Sequence, residues 1–207
     1  MNAKIVAIVA VTIAVCCISV PIIMTAMNHE EQKNDPPAPD VPKTIDKVLL
    51  VYFSATGVTD TMANKMADYI GADTYRIIPE QEYTAEDLNR SDPACRCNQE
   101  SSSSSVRPAI ASETVDVSKY DTILLGYPIW YHKAPRIIMT FLDAYDLSDK
   151  TIVTFCTSWG TGIATSHMEL TPFEPKATWI MGTNFTSSAS DSELTQWLLS
   201  VGFKVSQ

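Results

Sequence analysis

Five short apolar runs constrain this chain more than any other feature: Val48 to Phe53, Thr74 to Ile78, Thr122 to Leu125, Ile152 to Cys156 and Thr178 to Met181. None alternates cleanly between apolar and polar residues, as a strand with one face in water would. Such runs suit strands covered on both faces, and hence a parallel sheet sandwiched between helices. Helical spacing lies between them. Met62, Met66 and Tyr69 or Ile70 recur at intervals of three and four, as do Ile137, Ile138, Phe141 and Leu142 after Pro135, and Leu194, Trp197, Leu198 and Val201 near the end. A weaker helix is expected from Ile163 to Leu170, stopping before Pro172. Strand and helix thus alternate, and right-handed crossovers make the expected fold an α/β three-layer doubly wound domain with a five-stranded parallel sheet, over residues 45–207.

Two segments precede that domain. The run from Ile5 to Met27 carries no charge and, at about 1.5 Å per residue, is long enough to cross a hydrocarbon layer of roughly 30 Å. Residues 1–27 therefore read as a hydrophobic helix serving as a signal anchor or signal peptide. Lys4 before the run and His29, Glu30 and Glu31 after it favour a cytoplasmic amino terminus. The expected location is the cell membrane, with the domain outside the cytoplasm. An uncleaved anchor, lipid attachment at Cys16 or Cys17, and plain secretion are all open. Residues 28–44 are polar and carry four prolines, as a linker or stalk would.

The net charge is −9 and no basic cluster occurs, so nucleic acid is not an expected partner. Carboxylates are scattered, without metal-ligand spacing or an acid/base pair. Cys95 and Cys97 read as two loop thiols, one local bridge or an exposed redox pair; Cys156, ending an apolar run, reads as a core residue. His132 and His167 are isolated. The connection from Pro79 to Ser118 is unusually long, with one or two helical turns expected around Tyr83 to Leu88 and a mobile five-serine run at Ser101 to Ser105.

In a doubly wound sheet, ligands bind outside the carboxyl ends of the strands. After the first run comes Ser54-Ala55-Thr56-Gly57-Val58-Thr59, three hydroxyls and a glycine before a helix, with no lysine or arginine. It is neither a G-x-x-x-x-G-K-[ST] nor a G-x-G-x-x-G loop. A neutral cradle of amides and hydroxyls at a helix start suits one terminal phosphate, and the same groups would serve as an ordinary cap. After the third run comes Gly126-Tyr127-Pro128-Ile129-Trp130-Tyr131-His132, whose aromatics could flank a flat heterocycle. After the fourth comes Thr157-Ser158-Trp159-Gly160-Thr161-Gly162. The three loops together suit a mononucleotide with a planar ring.

Leu49 to Thr59, Tyr120-Asp121 through Gly126-Tyr127-Pro128-Ile129-Trp130, and Phe155-Cys156-Thr157-Ser158 resemble the flavodoxin family, in the bacterial branch with a G-Y-P-I-W segment. The resemblance covers about residues 46–203 and implies strand order 2-1-3-4-5 with FMN as cofactor. It implies that Ser54, Thr56, Gly57 and Thr59 bind the phosphate, with Ala55 and Val58 also against the cofactor. Pro128, Ile129, Trp130 and Tyr131 would lie along the isoalloxazine ring, with Thr157, Ser158, Trp159 and Gly160 at its pyrimidine and ribityl side. Two positions depart from the family pattern, Trp159 in place of a small residue and Tyr131-His132 in place of Trp-Gly. The implied function is an oxidoreductase or electron carrier serving a redox partner protein or a small acceptor such as a quinone or nitroaromatic. No protein side chain need act as catalyst. The competing reading is a membrane-tethered binding module of the same fold without flavin, which Trp159 filling the pocket would favour.

Overall fold

The computed structural model describes residues 47–206. The apolar segment 1–27 and the linker 28–44 lie outside the described residues, so the anchor, signal and stalk expectations do too.

Among the described residues six strands form one sheet. β1 (Val48–Phe53), β2 (Asp73–Ile77), β3 (Thr122–Pro128), β4 (Thr151–Thr157) and β5 (Thr178–Ile180) run in the order β2-β1-β3-β4-β5, every pair parallel. The helices are α1 (Val58–Ile70), α2 (Arg96–Ser102), α3 (Arg136–Ala144), α4 (Ala164–Leu170) and α5 (Asp191–Ser200). Side chains of successive strand residues point to opposite faces, and each face has its own core. Leu49, Val51, Phe53, Ile123, Leu125 and Ile152 pack with Ile137, Ile138 and Phe141 of α3 and Leu170 of α4. Leu50, Tyr52, Leu124, Val153 and Phe155 pack with Met62 and Met66 of α1 and Leu194 and Leu198 of α5. The result is the three-layer arrangement expected.

Burial on both faces holds for β1, β3 and β4, which lie inside the sheet, but not for its edges. In β2 only Tyr75 and Ile77 are buried, while Thr74 and Arg76 face outward. β5 buries only Ile180 fully.

A sixth strand, β6 (Asn184–Phe185), was not expected from the sequence. It pairs with Cys156 and Thr157 of β4, just beyond the stretch that pairs with β5. From Val153 to Cys156 the chain of β4 advances three positions, while its partner advances four, from Ile180 to Asn184. β5 and β6 are therefore one edge strand broken by a bulge. Gly182 sits in the bulge against the Thr154 carbonyl and the Trp197 ring, in space that a Cβ would occupy.

The connection from Pro79 to Ser118 is ordered by its own contacts. Pro79 bridges Ile110 in antiparallel sense, with Glu80 N donating to Ala109 O (2.9 Å) and Ala111 N to Ile78 O (2.8 Å). Around Tyr83 to Leu88 there is a single turn, closed by Leu88 N to Thr84 O (3.2 Å). The serine run is not simply a loop, because Ser101 and Ser102 end α2 and Ser101 is buried. Arg136, itself buried, reaches from α3 to the carbonyls of Glu100 and Ser101. That pins α2 to the domain.

Candidate functional site

The carboxyl ends of β1, β3 and β4 share one edge of the sheet, and Ile129 N donates to Thr157 O across it (3.0 Å). A cleft of about 690 Å³ opens there. Every residue expected to bind the cofactor lines it except Gly57, which shapes the turn behind it. Leu88, Arg90, His132, Thr161 and Ser187 line it as well.

The first wall is the start of α1. Gly57 occupies the N-cap position at φ 87°, a left-handed conformation open to glycine, and no side chain caps the first turn. Ser54 Oγ accepts from Gly57 N (3.1 Å) inside the turn. Behind it, Thr59 Oγ1 and Thr157 Oγ1 lie 2.8 Å apart in a buried bond that ties the first loop to the end of β4. The helix α5 starts differently: Ser190 and Glu193 form a complete capping box. α1 shares the lack of a side-chain cap with α2, α3 and α4, and what sets its start apart is that Val58 and Thr59 line the cleft. Free amides and the positive end of a helix dipole favour an anion there.

The second wall follows β3. Trp130 and Lys133 exchange both backbone bonds (2.9 Å each), and the two residues between them, Tyr131 and His132, have φ of 49° and 67°. This is a two-residue turn of type I′, which needs left-handed backbone at both central positions. Two non-glycine residues hold it at some conformational cost. Trp130 is only 3% exposed. Its ring stands edge-on to Phe53 (centroids 5.7 Å) and Tyr83 (5.0 Å), so it belongs to the core as much as to the cleft. Tyr131 is less buried and His132 is exposed.

The third wall follows β4. Ser158 Oγ lies 2.7 Å from Thr161 O and 2.7 Å from Asn184 Oδ1, and accepts from Gly160 N (3.2 Å). Trp159 projects into solvent at 93% exposure. It stands at the rim and does not fill the cleft.

Over the second wall lies the segment containing α2. Tyr83 donates to Glu100 Oε2 (2.6 Å), Arg96 Nε to Glu100 Oε1 (2.6 Å), and the Arg96 guanidinium sits 4.0 Å above the Tyr83 ring. Burial and the neighbouring Glu100 carboxylate push the Tyr83 hydroxyl well above the usual phenol range, so it remains a donor. Arg90 Nη2 donates to Ile129 O (3.0 Å), with its guanidinium 5.8 Å from the Tyr131 ring centroid. Among the described residues it is the one lysine or arginine lining the cleft. Nothing in the sequence marks Arg90, a lone cation in a polar stretch. Leu88 and Ser187 are equally inconspicuous, since only the fold brings their loops to this edge.

The remaining candidates fall elsewhere. His167 is buried, with Nδ1 2.9 Å from Thr154 Oγ1, and burial lowers its pKa. Cys156 is fully buried, and desolvation raises its thiol to about 12. It is a core residue, as expected. Cys95 and Cys97 are neither exposed nor bridged: both are buried free thiols, at the N-cap and inside α2. Arg107 pairs with Asp143 on α3 and lies 5.4 Å from the Phe173 ring centroid, a fastening of the long connection. Among the described residues, no cluster of histidine, cysteine and carboxylate could hold a metal.

A five-position parallel order of 2-1-3-4-5, with three carboxyl-edge loops meeting in one cleft, defines a flavodoxin-like domain. The chain belongs to the flavodoxin family, since residues 47–201 match the family described as Flavodoxin. Among solved structures, it is similar to a candidate flavoprotein from Bacteroides eggerthii, at 37% identity over 76% of this chain and 99% of that one, with a TM-score of 0.71. One from Bacteroides uniformis is 38% identical over 75% and 99%, also with a TM-score of 0.71. A flavoprotein from Lactobacillus acidophilus, solved in complex with FMN, is 25% identical over 73% and 97%, with a TM-score of 0.56. No protein of curated function matches the sequence.

Proposed function

We propose that this protein binds FMN in the carboxyl-edge cleft and works as an oxidoreductase or electron carrier. The observation that carries the reading is the meeting of an uncapped α1 start, buried hydroxyls and an aromatic wall around one cleft. Its volume of about 690 Å³ is within the range of cofactor pockets, roughly 300–1,000 Å³. The family and the FMN complex of the Lactobacillus acidophilus relative support the same cofactor.

Bound FMN would supply the electron transfer chemistry. The chain's own contribution is to bind and orient. The backbone amides of residues 54–59 and the hydroxyls of Ser54, Thr56 and Thr59 would take the phosphate, whose charge the α1 dipole offsets without a cation. Pro128, Ile129, Trp130 and Tyr131 would lie along the ring, Trp130 mainly by keeping the wall rigid. Thr157, Ser158 and Gly160 would border its polar edge, with the exposed Trp159 at the rim. The cofactor-free alternative leaned on Trp159 as a plug, and a side chain 93% exposed gives it no support.

Electrons would pass to a redox partner protein or to a small acceptor of the quinone or nitroaromatic kind. Residues 1–27 would tether the domain to the cell membrane through the linker 28–44, with residues 45–207 outside the cytoplasm. The test is the visible spectrum of the purified full-length protein, followed by titration with FMN and with riboflavin. FMN should bind, and riboflavin, lacking the phosphate, should bind roughly tenfold more weakly or worse. A colourless protein that refuses FMN refutes the proposal.

A further inference from the structure

Two buried thiols beside the cleft have no part in that function. Cys95 is 5% exposed and Cys97 fully buried, their sulfurs are 3.3 Å apart, and Cys97 Sγ is 4.0 Å from the hydroxyl of Tyr131. Tyr131 lines the cleft, holds one of the two left-handed positions of the type I′ turn, and donates to Arg90 O (3.4 Å). Cys95, Cys97, Tyr131 and Arg90 therefore form one cluster joining the α2 segment to the cleft wall. Two free thiols in contact can ligate a metal or join to each other. The first needs further ligands, and among the described residues no group of three is available.

We propose that Cys95 and Cys97 are a reversible dithiol–disulfide pair whose oxidation state sets the packing of Tyr131 at the cleft. The sulfurs stand about 1.3 Å farther apart than the roughly 2.05 Å of a disulfide. Forming the bond has to close that gap by movement of the two side chains. The oxidant is a small disulfide of the glutathione type. Cys95, the less buried of the two residues, attacks it as thiolate, forming a mixed disulfide and expelling one small thiolate. Cys97 then loses its proton and attacks the Cys95 sulfur, closing the Cys95–Cys97 bond and expelling the second. Two electrons and two protons pass from the protein thiols to the small disulfide, which leaves as two thiols. Burial and the adjacent Cys95 hold the Cys97 thiol up at about 11, so Cys97 stays protonated at neutral pH and its closing step is slow. Closing the bond removes the Cys97 thiol proton that faces the Tyr131 hydroxyl and moves the sulfur beside it. Tyr131 must then repack, which changes the surroundings of Trp130 beside it while Trp130 keeps its own contacts with Phe53 and Tyr83.

The test equilibrates the full-length protein in mixtures of reduced and oxidised glutathione, with alkylation and peptide mapping to assign each cysteine. A Cys95–Cys97 disulfide should form at a defined midpoint, and tryptophan fluorescence should change at that same midpoint. Both changes should vanish in Cys97→Ser and in Cys95→Ser, and persist in Cys156→Ala. The cleft reading enters only through a last arm, in which the oxidised and reduced forms should differ in FMN affinity by about fivefold or more. If neither form takes FMN while disulfide and fluorescence still titrate together, the FMN proposal falls and the dithiol proposal stands. No Cys95–Cys97 disulfide at any ratio, or one that leaves the fluorescence unchanged, overturns it.

Discussion

The buried bond between Thr59 and Thr157 offers a way to separate what holds the cleft together from what binds in it. The hydroxyls lie 2.8 Å apart, and the two residues are 1% and 5% exposed. Thr59→Val or Thr157→Val replaces a hydroxyl by a methyl of nearly the same shape, leaving the partner hydroxyl buried and unpaired. Each single change should cost about 1–3 kcal/mol. Changing both removes the orphan along with its partner, and the double variant should lie below the sum of the singles by about 1 kcal/mol or more. Urea unfolding of the four full-length proteins measures this, with m-values compared so that a change in compactness is not mistaken for one in stability. The binding arm runs the other way. The double variant keeps the fold but lacks the Thr59 hydroxyl at the α1 start, so it should lose roughly tenfold in FMN affinity. Additive single costs would mean the bond carries no weight, and unchanged FMN affinity would mean the hydroxyls do not meet the phosphate.

Gly182→Ala would set a Cβ against the Thr154 carbonyl, a backbone atom with little room to yield. It should destabilise the protein by about 1–3 kcal/mol or more, read from the urea midpoint. Burial lowers the pKa of His167, so between its folded value and the unfolded value near 6.5 the unfolded chain binds the extra proton. Its stabilising contribution is complete above about pH 6.5 and is lost as the pH falls through the folded pKa, by at most about 1.4 kcal/mol per pH unit. His167→Gln should flatten that part of the stability–pH curve relative to the parent protein. Trp159→Ala should change stability by no more than about 0.5 kcal/mol and leave FMN uptake intact. An FMN affinity gained only on removing the indole would show that Trp159 closes the cleft.

The central strands were legible because β1, β3 and β4 bury both faces, and double burial shows in sequence as an unbroken apolar run. β6 was not, since it has two residues and follows a bulge whose glycine marks a close approach only once Thr154 is in place. α2 escaped for another reason. Its sequence Arg-Cys-Asn-Gln-Glu-Ser-Ser has no apolar period; buried Cys97, Glu100 and Ser101 hold it through contacts with Tyr83, Arg96, Lys133 and Arg136. A helix buried by polar side chains looks like a loop until its partners are known. The loops of the cleft were readable because turn residues and aromatics occupy fixed places after strands. Arg90, Leu88 and Ser187 reach the cleft through long-range folding, and no local pattern records it.

Trp130 shows how a residue's place at the sheet edge can be read from sequence while its contacts cannot. In sequence it is an aromatic at a ligand edge, equally suited to touching a ring or filling a core. In the structure its ring meets Phe53 at the end of β1 and Tyr83 of the long connection, while its backbone closes the Tyr131–His132 turn through Lys133. Those contacts join the strand before the first loop, the second wall and the segment above it. The type I′ turn needs such support, because neither Tyr131 nor His132 favours left-handed backbone on its own. A wall held this way keeps its shape in the absence of ligand, so little ordering cost remains to be met on binding. The aromatic side chains of this loop thus divide the labour: Trp130 fixes the frame, and Tyr131, less buried and in contact with Arg90 and Cys97, is the one free to respond to what enters the cleft or to the state of the thiols behind it.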